Sequence, residues 1–383
     1  MYPLFCYINT FSHTLLRHTL ATVALCLPLW LTAQEISTGT YTFRDGAVYQ
    51  GEVFRGKPYG KGRTTFKNGD VYEGEYVKGK RQGAGIYTFV DGERYDGEWY
   101  QDQQHGRGVF YFKNNNRYEG LWFRDFQHGK GTMYYFNGDV YDGEWVNDKR
   151  EGQGTYTFAT GDSYKGSWKN DKKDGLGTFV WSNGARYNGM WREGKMNGTG
   201  TYNYANGDVY KGSFVNDSLE GKGIYRYNNG DVYEGSYHNS QREGEGIFTY
   251  ANGNKYVGQL KGGMKHGAGT FTSPDGTSYT GQWQRDQKEG RGKYVWRNGD
   301  VYDGEWKADM MDGEGVLRQK DGTKFRGQFR EGKKNGKCIM ETPDGLRFEG
   351  TYKDDVRDGD FVEKDRNGNV IRRGSYNNGV VER

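Results

Sequence analysis

Most of what ordinarily builds a globular core is scarce in this chain. Of 383 residues, three are cysteine and five are proline, hydrophobic residues of all kinds reach only 33%, and the one long uncharged apolar run, residues 19–33, lies near the N-terminus. Each shortage excludes something. Cys6 and Cys26 fall within residues 1–33, leaving Cys338 alone in the body of the chain. One thiol cannot form an internal bridge, so no disulfide framework is expected. Charge of one sign is also lacking: 54 Lys and Arg face 50 Asp and Glu, a net of +4. An electrostatic nucleic-acid binder needs a strong basic excess. What the chain does have is glycine, 63 residues, and aromatic side chains, 16%. Low hydrophobicity alone would point to disorder, but the spacing of these two residue types overrides it.

From Tyr49 a 23-residue unit recurs fourteen times without a slip, at Tyr49, Tyr72, Tyr95 and onward to Tyr302, Phe325 and Phe348. A fixed period of this size means a stacked array. Counting the leading aromatic as position 1, positions 3 and 12 are glycine in all fourteen units. Position 14 is glycine in twelve, failing at Cys338 and Phe361, and position 21 in thirteen, failing at Asn115. Position 5 is aromatic in twelve; Val53 and Leu260 are the exceptions. Positions 1, 3 and 5 share one face of a strand, and the largely polar positions 2 and 4 share the other. Positions 14, 16 and 18 alternate likewise, as in Gly154, Tyr156 and Phe158. These are half-buried antiparallel strands.

The Asn-Gly and Asp-Gly pairs ending at position 21, such as Asn68-Gly69 and Asp321-Gly322, suit tight hairpin turns because they reach positive φ cheaply. The other connection is expected to span positions 7 to 12 and to close on the invariant glycine. Glycine inside a strand costs entropy and packing. Its recurrence at positions 3 and 14 therefore implies aromatic rings lying flat over bare backbone.

Tyr141-Asp-Gly-Glu-Trp145, then Gly152-Gln-Gly154-Thr-Tyr156 and Gly161, resembles the MORN repeat (membrane occupation and recognition nexus). The resemblance covers residues 49–370. It implies an all-β, extended, single-layer array of antiparallel β-hairpins, a twisted ribbon or groove of about fourteen units. It also implies scaffolding, self-association or contact with membrane phospholipids, and no enzyme activity of its own. Some plant members join such an array to a phosphoinositide kinase domain, for which no residues remain here.

Residues 1–33 stand outside the array. Arg17 and His18 precede the apolar run from Thr19 to Ala33, which is short of the ~20 residues of a membrane span. It fits the core of a secretory signal peptide, with cleavage after Ala33. Export to the periplasm, cell surface or medium is expected, with an uncleaved membrane anchor as the alternative. Residues 34–48 form an N-terminal partial repeat, and 371–383 a C-terminal one. The charged run from Asp354 to Arg366 is expected to protect an open sheet edge as an atypical terminal unit.

Local motifs are mostly shadows of the period. Gly51 to Lys57, Gly74 to Lys80 and Gly189 to Lys195 read G-x-x-x-x-G-K, but Pro58, Arg81 and Met196 follow where a phosphate-binding loop needs Ser or Thr and a helix. No nucleotide, cofactor or nucleic acid is implied. His105, His128 and His266 repeat at position 11, on units roughly 10 Å apart, too far for shared zinc ligation at ~2 Å bonds; they read as loop histidines. The recurrent carboxylates read as solubilising surface rather than a catalytic pair. Two surfaces remain. A single layer cannot cover both faces, so the aromatic side is expected to form a partner-binding groove carrying Trp99, Trp122, Trp145, Trp168, Trp191, Trp283 and Trp306. Basic hairpin tips at positions 9 and 10, Lys80/Arg81, Lys149/Arg150 and Lys172/Lys173, could meet anionic lipid headgroups. The leading expectation is a non-catalytic scaffold for protein partners or itself, at or near a membrane. Phosphoinositide or other anionic lipid binding is the alternative, and a glycan surface rests on ring chemistry alone.

Overall fold

The computed structural model describes residues 35–382; the expected signal peptide and its cleavage after Ala33 lie outside the described residues. Those residues contain no helix and form one 32-stranded antiparallel sheet in which strands pair with their neighbours along the chain. The period translates directly into geometry. In the unit that starts at Tyr141, strand Val140–Val146 pairs with Lys149–Thr157, bringing Gly143 opposite Gly154 and Tyr141 opposite Tyr156. Lys149–Thr157 pairs on its other side with Ser163–Lys169, again glycine to glycine, Gly154 opposite Gly166. A continuous row of glycines thus crosses the sheet from unit to unit.

The tyrosine at position 1 lies flat on this row. A Cβ added to Gly143 or Gly154 would sit 2.4 Å or 2.3 Å from the Tyr141 hydroxyl, closer than real Cβ contacts allow. The hydroxyl donates to the Glu144 carbonyl at 3.1 Å, a geometry repeated by Tyr95 with Glu98 and Tyr279 with Gln282. The ring is then walled in edge-to-face by two tryptophans, its own Trp145 and the next unit's Trp168, both at 5.2 Å. Twelve such tyrosines have less than 2% of their surface exposed. Each indole N–H in turn donates to the carbonyl of the preceding unit's position-14 glycine, as Trp145 does to Gly131 at 3.0 Å. A one-layer sheet thereby makes a core within its own surface.

The two connections are the reverse of the sequence expectation. Positions 7 and 8 alone form the tight turn: Asn147 and Asp148 have φ of 49° and 64°, the paired positive values of a two-residue type I′ turn. The chain is already back in a strand at position 9, and the invariant glycine at position 12 forms a bulge, where the register slips beyond Gly143. Gly152 has φ +64°, and a Cβ there would collide with the Glu144 carboxylate. The Asn-Gly pairs belong to the looser connection, closed by bonds such as Gly138 N–H to the Tyr135 carbonyl at 3.0 Å. Only the second residue of these pairs is left-handed, and Asn115 fills that place with φ 65°.

Both edges are laced between units. At one edge the position-8 carboxylate caps the previous unit's backbone, as Asp171 accepts from the Arg150 N–H at 3.0 Å. At the other, Asp70 accepts from the Tyr87 hydroxyl at 2.7 Å and the Val90 N–H at 2.9 Å. At the C-terminal end, strand Gly359–Lys364, within the charged run, is not an edge. It pairs on one side with Arg347–Lys353 and on the other with Val370–Asn377. The protective role expected of the run from Asp354 to Arg366 therefore does not hold.

The lapsed glycines have a physical cause. Position 14 is Cys338 or Phe361 only in the two units whose position 1 is Phe325 or Phe348. Without the hydroxyl the ring needs less of the glycine's space. Gly154→Ala should therefore destabilise the array, and adding Tyr141→Phe should recover part of the loss. Equilibrium urea denaturation of both single variants and the double should show a coupling within the roughly 0.5–3 kcal/mol range of touching residues; strict additivity would refute the pairing.

Stability should also fall at both pH extremes. Burial pushes the Tyr76, Tyr187, Tyr210 and Tyr233 hydroxyls up to about 12, from 10.0. Burial also acts to raise Asp70 and Asp208, but hydrogen bonds from tyrosine, backbone and asparagine donors outweigh it and hold both below 3.8. A raised tyrosine stabilises the fold fully below its unfolded value and loses this as pH rises from about 10 through 12; a lowered aspartate stabilises it above about 4 and loses this as pH falls. Near-ultraviolet circular dichroism against pH should show a plateau between these limits and cooperative loss beyond them.

Candidate interaction surfaces

The seven tryptophans are not a groove. Trp99, Trp122, Trp145, Trp168, Trp191, Trp283 and Trp306 are only 3–7% exposed. Neighbouring rings wall them in, and at several of them a cation lies across the outer side. Arg81 lies 4.2 Å from the Trp99 ring centroid, Arg150 4.6 Å from Trp168 and Lys173 3.9 Å from Trp191. The expectation of an open aromatic groove is thus overturned. Position-10 cations close that face over five of the seven rings, and all seven rings are core.

This also splits the six basic residues expected at hairpin tips. Lys80, Lys149 and Lys172, at position 9, are exposed on the turn edge. Lys80 approaches Asp102 at 3.9 Å, and Lys172 pairs with Glu193. Arg81, Arg150 and Lys173, at position 10, fold inward onto the rings. Arg150 Nε donates to Asp171 at 3.1 Å, and its side chain is only 19% exposed. Lys173 faces Gly194 where eight units carry a position-8 aspartate. Burial lowers its ammonium to about 8, from 10.5.

The histidines sit at the bulge rather than in a loop. His105 and His128, on the strands to either side, both pack on one exposed ring, Phe123, at 5.3 Å and 5.7 Å. Among the described residues no group of three or more metal-ligating side chains comes together.

The concave surface is the other face, which sequence reasoning had treated as solubilising. There the floor is built from positions 2, 4, 13 and 15 with the glycine backbone between them. The rings fill the opposite side of the sheet and leave this one open. In mid-array this makes a trough of about 1130 Å³ lined from Leu176 to Ala268. Leu176 is 65% exposed, Val257 44% and Met190 38%, with Ile224 and Ile247 half-buried between them. Further along, the floor turns charged, with Arg291, Asp303, Glu314 and Arg326. The signal was present in the sequence as interruptions of an otherwise polar row by Leu176, Met190 and Val257.

The period and geometry define a single-sheet β-hairpin repeat protein with an open trough on the face opposite its rings. The chain belongs to the MORN-repeat family, a family of protein-interaction scaffolds: the MORN repeat model matches thirteen consecutive units spanning residues 49–347. The fourteenth unit, 348–370, falls outside the match yet continues the same sheet. No curated protein matches the chain in sequence. Among solved structures, the TCP10 domain of Danio rerio CPAP in complex with a peptide of Danio rerio STIL is similar at 14% identity and a TM-score of 0.32, over 56% of this chain and 90% of that one. The Drosophila melanogaster SAS-4 (dCPAP) TCP domain, with a proline-rich motif of Ana2 (dSTIL), is similar at 22% identity and a TM-score of 0.27, over 40% and 85%. A streptogramin B lyase is similar at 12% and 0.13, over 82% and 90%. Such TM-scores say nothing about role.

Positions 9 and 10 should respond differently to charge reversal. Arg150→Glu removes a cation from three rings and a pair with Asp171, and should cost about 1–2 kcal/mol. Lys149→Glu should stay within about 0.5 kcal/mol of the parent. Thermal unfolding followed by tryptophan fluorescence measures both; equal effects would show that the inward fold of Arg150 is energetically idle.

Proposed function

We propose that this chain is a non-catalytic scaffold that holds a segment of a partner protein along its concave trough between Leu176 and Ala268. One observation carries the reading. In an array that buries its position-1 and position-5 rings, this stretch leaves aliphatic side chains open, Leu176 at 65% and Val257 at 44%, at the bottom of a concavity rather than scattered singly. Contiguous apolar surface rimmed by polar groups marks a contact site. The scaffold character of the family supports it. A second reading, peripheral contact with anionic phospholipid, rests on the position-9 lysines, of which Lys80, Lys149 and Lys172 stand exposed on one edge.

Chemical crosslinking of the chain to its captured partners, read by mass spectrometry, should place partner lysines on Lys211 and Lys222 beside the trough. The variant Ile224→Arg with Ile247→Arg should lose those partners while melting like the parent. Retention of the partners by that variant would refute the trough. Salt-sensitive sedimentation with phosphoinositide vesicles, abolished by Lys80→Glu, Lys149→Glu and Lys172→Glu together, would promote the lipid reading.

A further inference from the structure

We propose that the segment held in the trough adopts the polyproline II conformation, with every third residue against the floor; this deepens the trough-binding reading and stands only if that reading stands. The argument is one of length. Each unit contributes two strands, and paired strands lie about 4.8 Å apart, so equivalent floor positions recur every ~9.6 Å along the trough. Position 15 shows the recurrence directly: Thr178, Thr201, Ile224, Ile247 and Thr270 stand one per unit, each half-buried and β-branched. An occupant lying along this axis keeps its contacts only if its own same-face repeat matches.

A polyproline II helix has three residues per turn at ~3.1 Å each, a repeat of ~9.3 Å. Its drift over four units is only about 1 Å. An α-helix returns to one face after seven residues, ~10.5 Å, and drifts by more than a residue's rise over the same span. A β-extended segment repeats its face every ~6.7 Å and leaves register at the first step. Concavity brings floor positions closer together than the strand axes, which favours the shorter repeat further.

Charge sets the order of residues. Lys211 and Lys222 belong to one unit, and Glu234 and Glu245 to the next. None of these four has an ion pair or side-chain hydrogen bond among the described residues. Arg63 with Glu73 and Arg347 with Glu349, at the two ends of the same face, are paired at 3.2 Å and 2.8 Å. The free charges call for a carboxylate on the occupant one turn away from a cation. Apolar residues belong at the flanking turns, over Met190 and Leu176 on one side and over Val257 on the other. The occupant therefore reads apolar-x-x-apolar-x-x-acid-x-x-base-x-x-apolar, in one of the two chain directions.

The test uses synthetic peptides of about 13 residues with the sequence Leu-Pro-Pro-Leu-Pro-Pro-Asp-Pro-Pro-Lys-Pro-Pro-Leu, its reversed sequence, and controls carrying the same five residues two or four apart. Fluorescence anisotropy with the full chain should show one of the two directional peptides binding at least about tenfold more tightly than either control. Binding should be lost in Ile224→Arg with Ile247→Arg, and exchange of Lys211 and Lys222 for Glu with Glu234 and Glu245 for Lys should transfer preference to the peptide with Asp and Lys exchanged. Equal binding of the controls, still lost in the trough variant, would overturn the conformation and leave the trough reading intact. No saturable binding by either directional peptide would overturn the proposal, and the crosslinked partners would then decide the trough reading separately. Binding that survives the trough variant would overturn both.

Discussion

The structure depends on one contact: a tyrosine ring pressed flat against two glycines that face each other across a strand pair. Gly143 and Gly154 leave no room for a Cβ beneath Tyr141. A sheet of one layer has no second layer to bury apolar surface against, which is why sheets ordinarily need a partner. Here the ring is buried by its own backbone below and by two indoles at its flanks. Edge-to-face pairs of this kind add about 0.5–1.5 kcal/mol beyond area burial, and the hydroxyl finds a backbone carbonyl rather than being stranded. Aliphatic scarcity is therefore no weakness. Tyrosine and tryptophan replace leucine and isoleucine because the core is thin and each ring needs a polar exit.

Units are coupled through their edges as well as their rings. Carboxylates such as Asp171 and Asp70 accept backbone N–H donors from an adjacent unit, the one before and the one after respectively. Hydrogen bonds to charged groups are worth roughly 1.5–3 kcal/mol, so each turn is secured by its neighbour rather than by itself. Stability in such an array is a sum of nearest-neighbour terms. A lapse is felt locally, which explains how Leu260 can stand in for a position-5 aromatic, 5% exposed, without breaking the sheet.

Much of this was legible in the sequence. The period, strand phases and aromatic face followed from Tyr, Gly and Trp recurring at fixed positions, because alternation leaves few ways to fold them. Two features were not legible, each for a definite reason. Asn147-Asp148 contains no glycine, so a turn with two positive φ values was hidden, while the conspicuous Asn-Gly pairs drew the tight turn to the wrong connection. The groove was assigned to the ring face because a row of tryptophans suggests a binding surface. Nothing in the sequence says that Arg81, Arg150 and Lys173 lie across those rings. The co-occurrence of Phe325 with Cys338 and Phe348 with Phe361 was readable in principle, but its meaning needed the distance between hydroxyl and glycine.

The two faces of the ribbon divide the work, and the division shows where specificity can reside. Positions 1, 3, 5, 12 and 14 are bound to one another by contact, so a change at one disturbs its neighbours and the unit holds them nearly constant. Positions 2, 13 and 15 touch few of these atoms, and position 4 meets them only over the position-12 glycine, so all four vary: Asp142 and Glu144 occupy in one unit what Asn188 and Met190 occupy in another. Variation at no structural cost is what allows a repeated surface to carry a particular pattern. The fold thus supplies a ruler with a mark every ~9.6 Å. The residues that break the polar row, with Leu176, Met190 and Val257 foremost, write on it what it can hold.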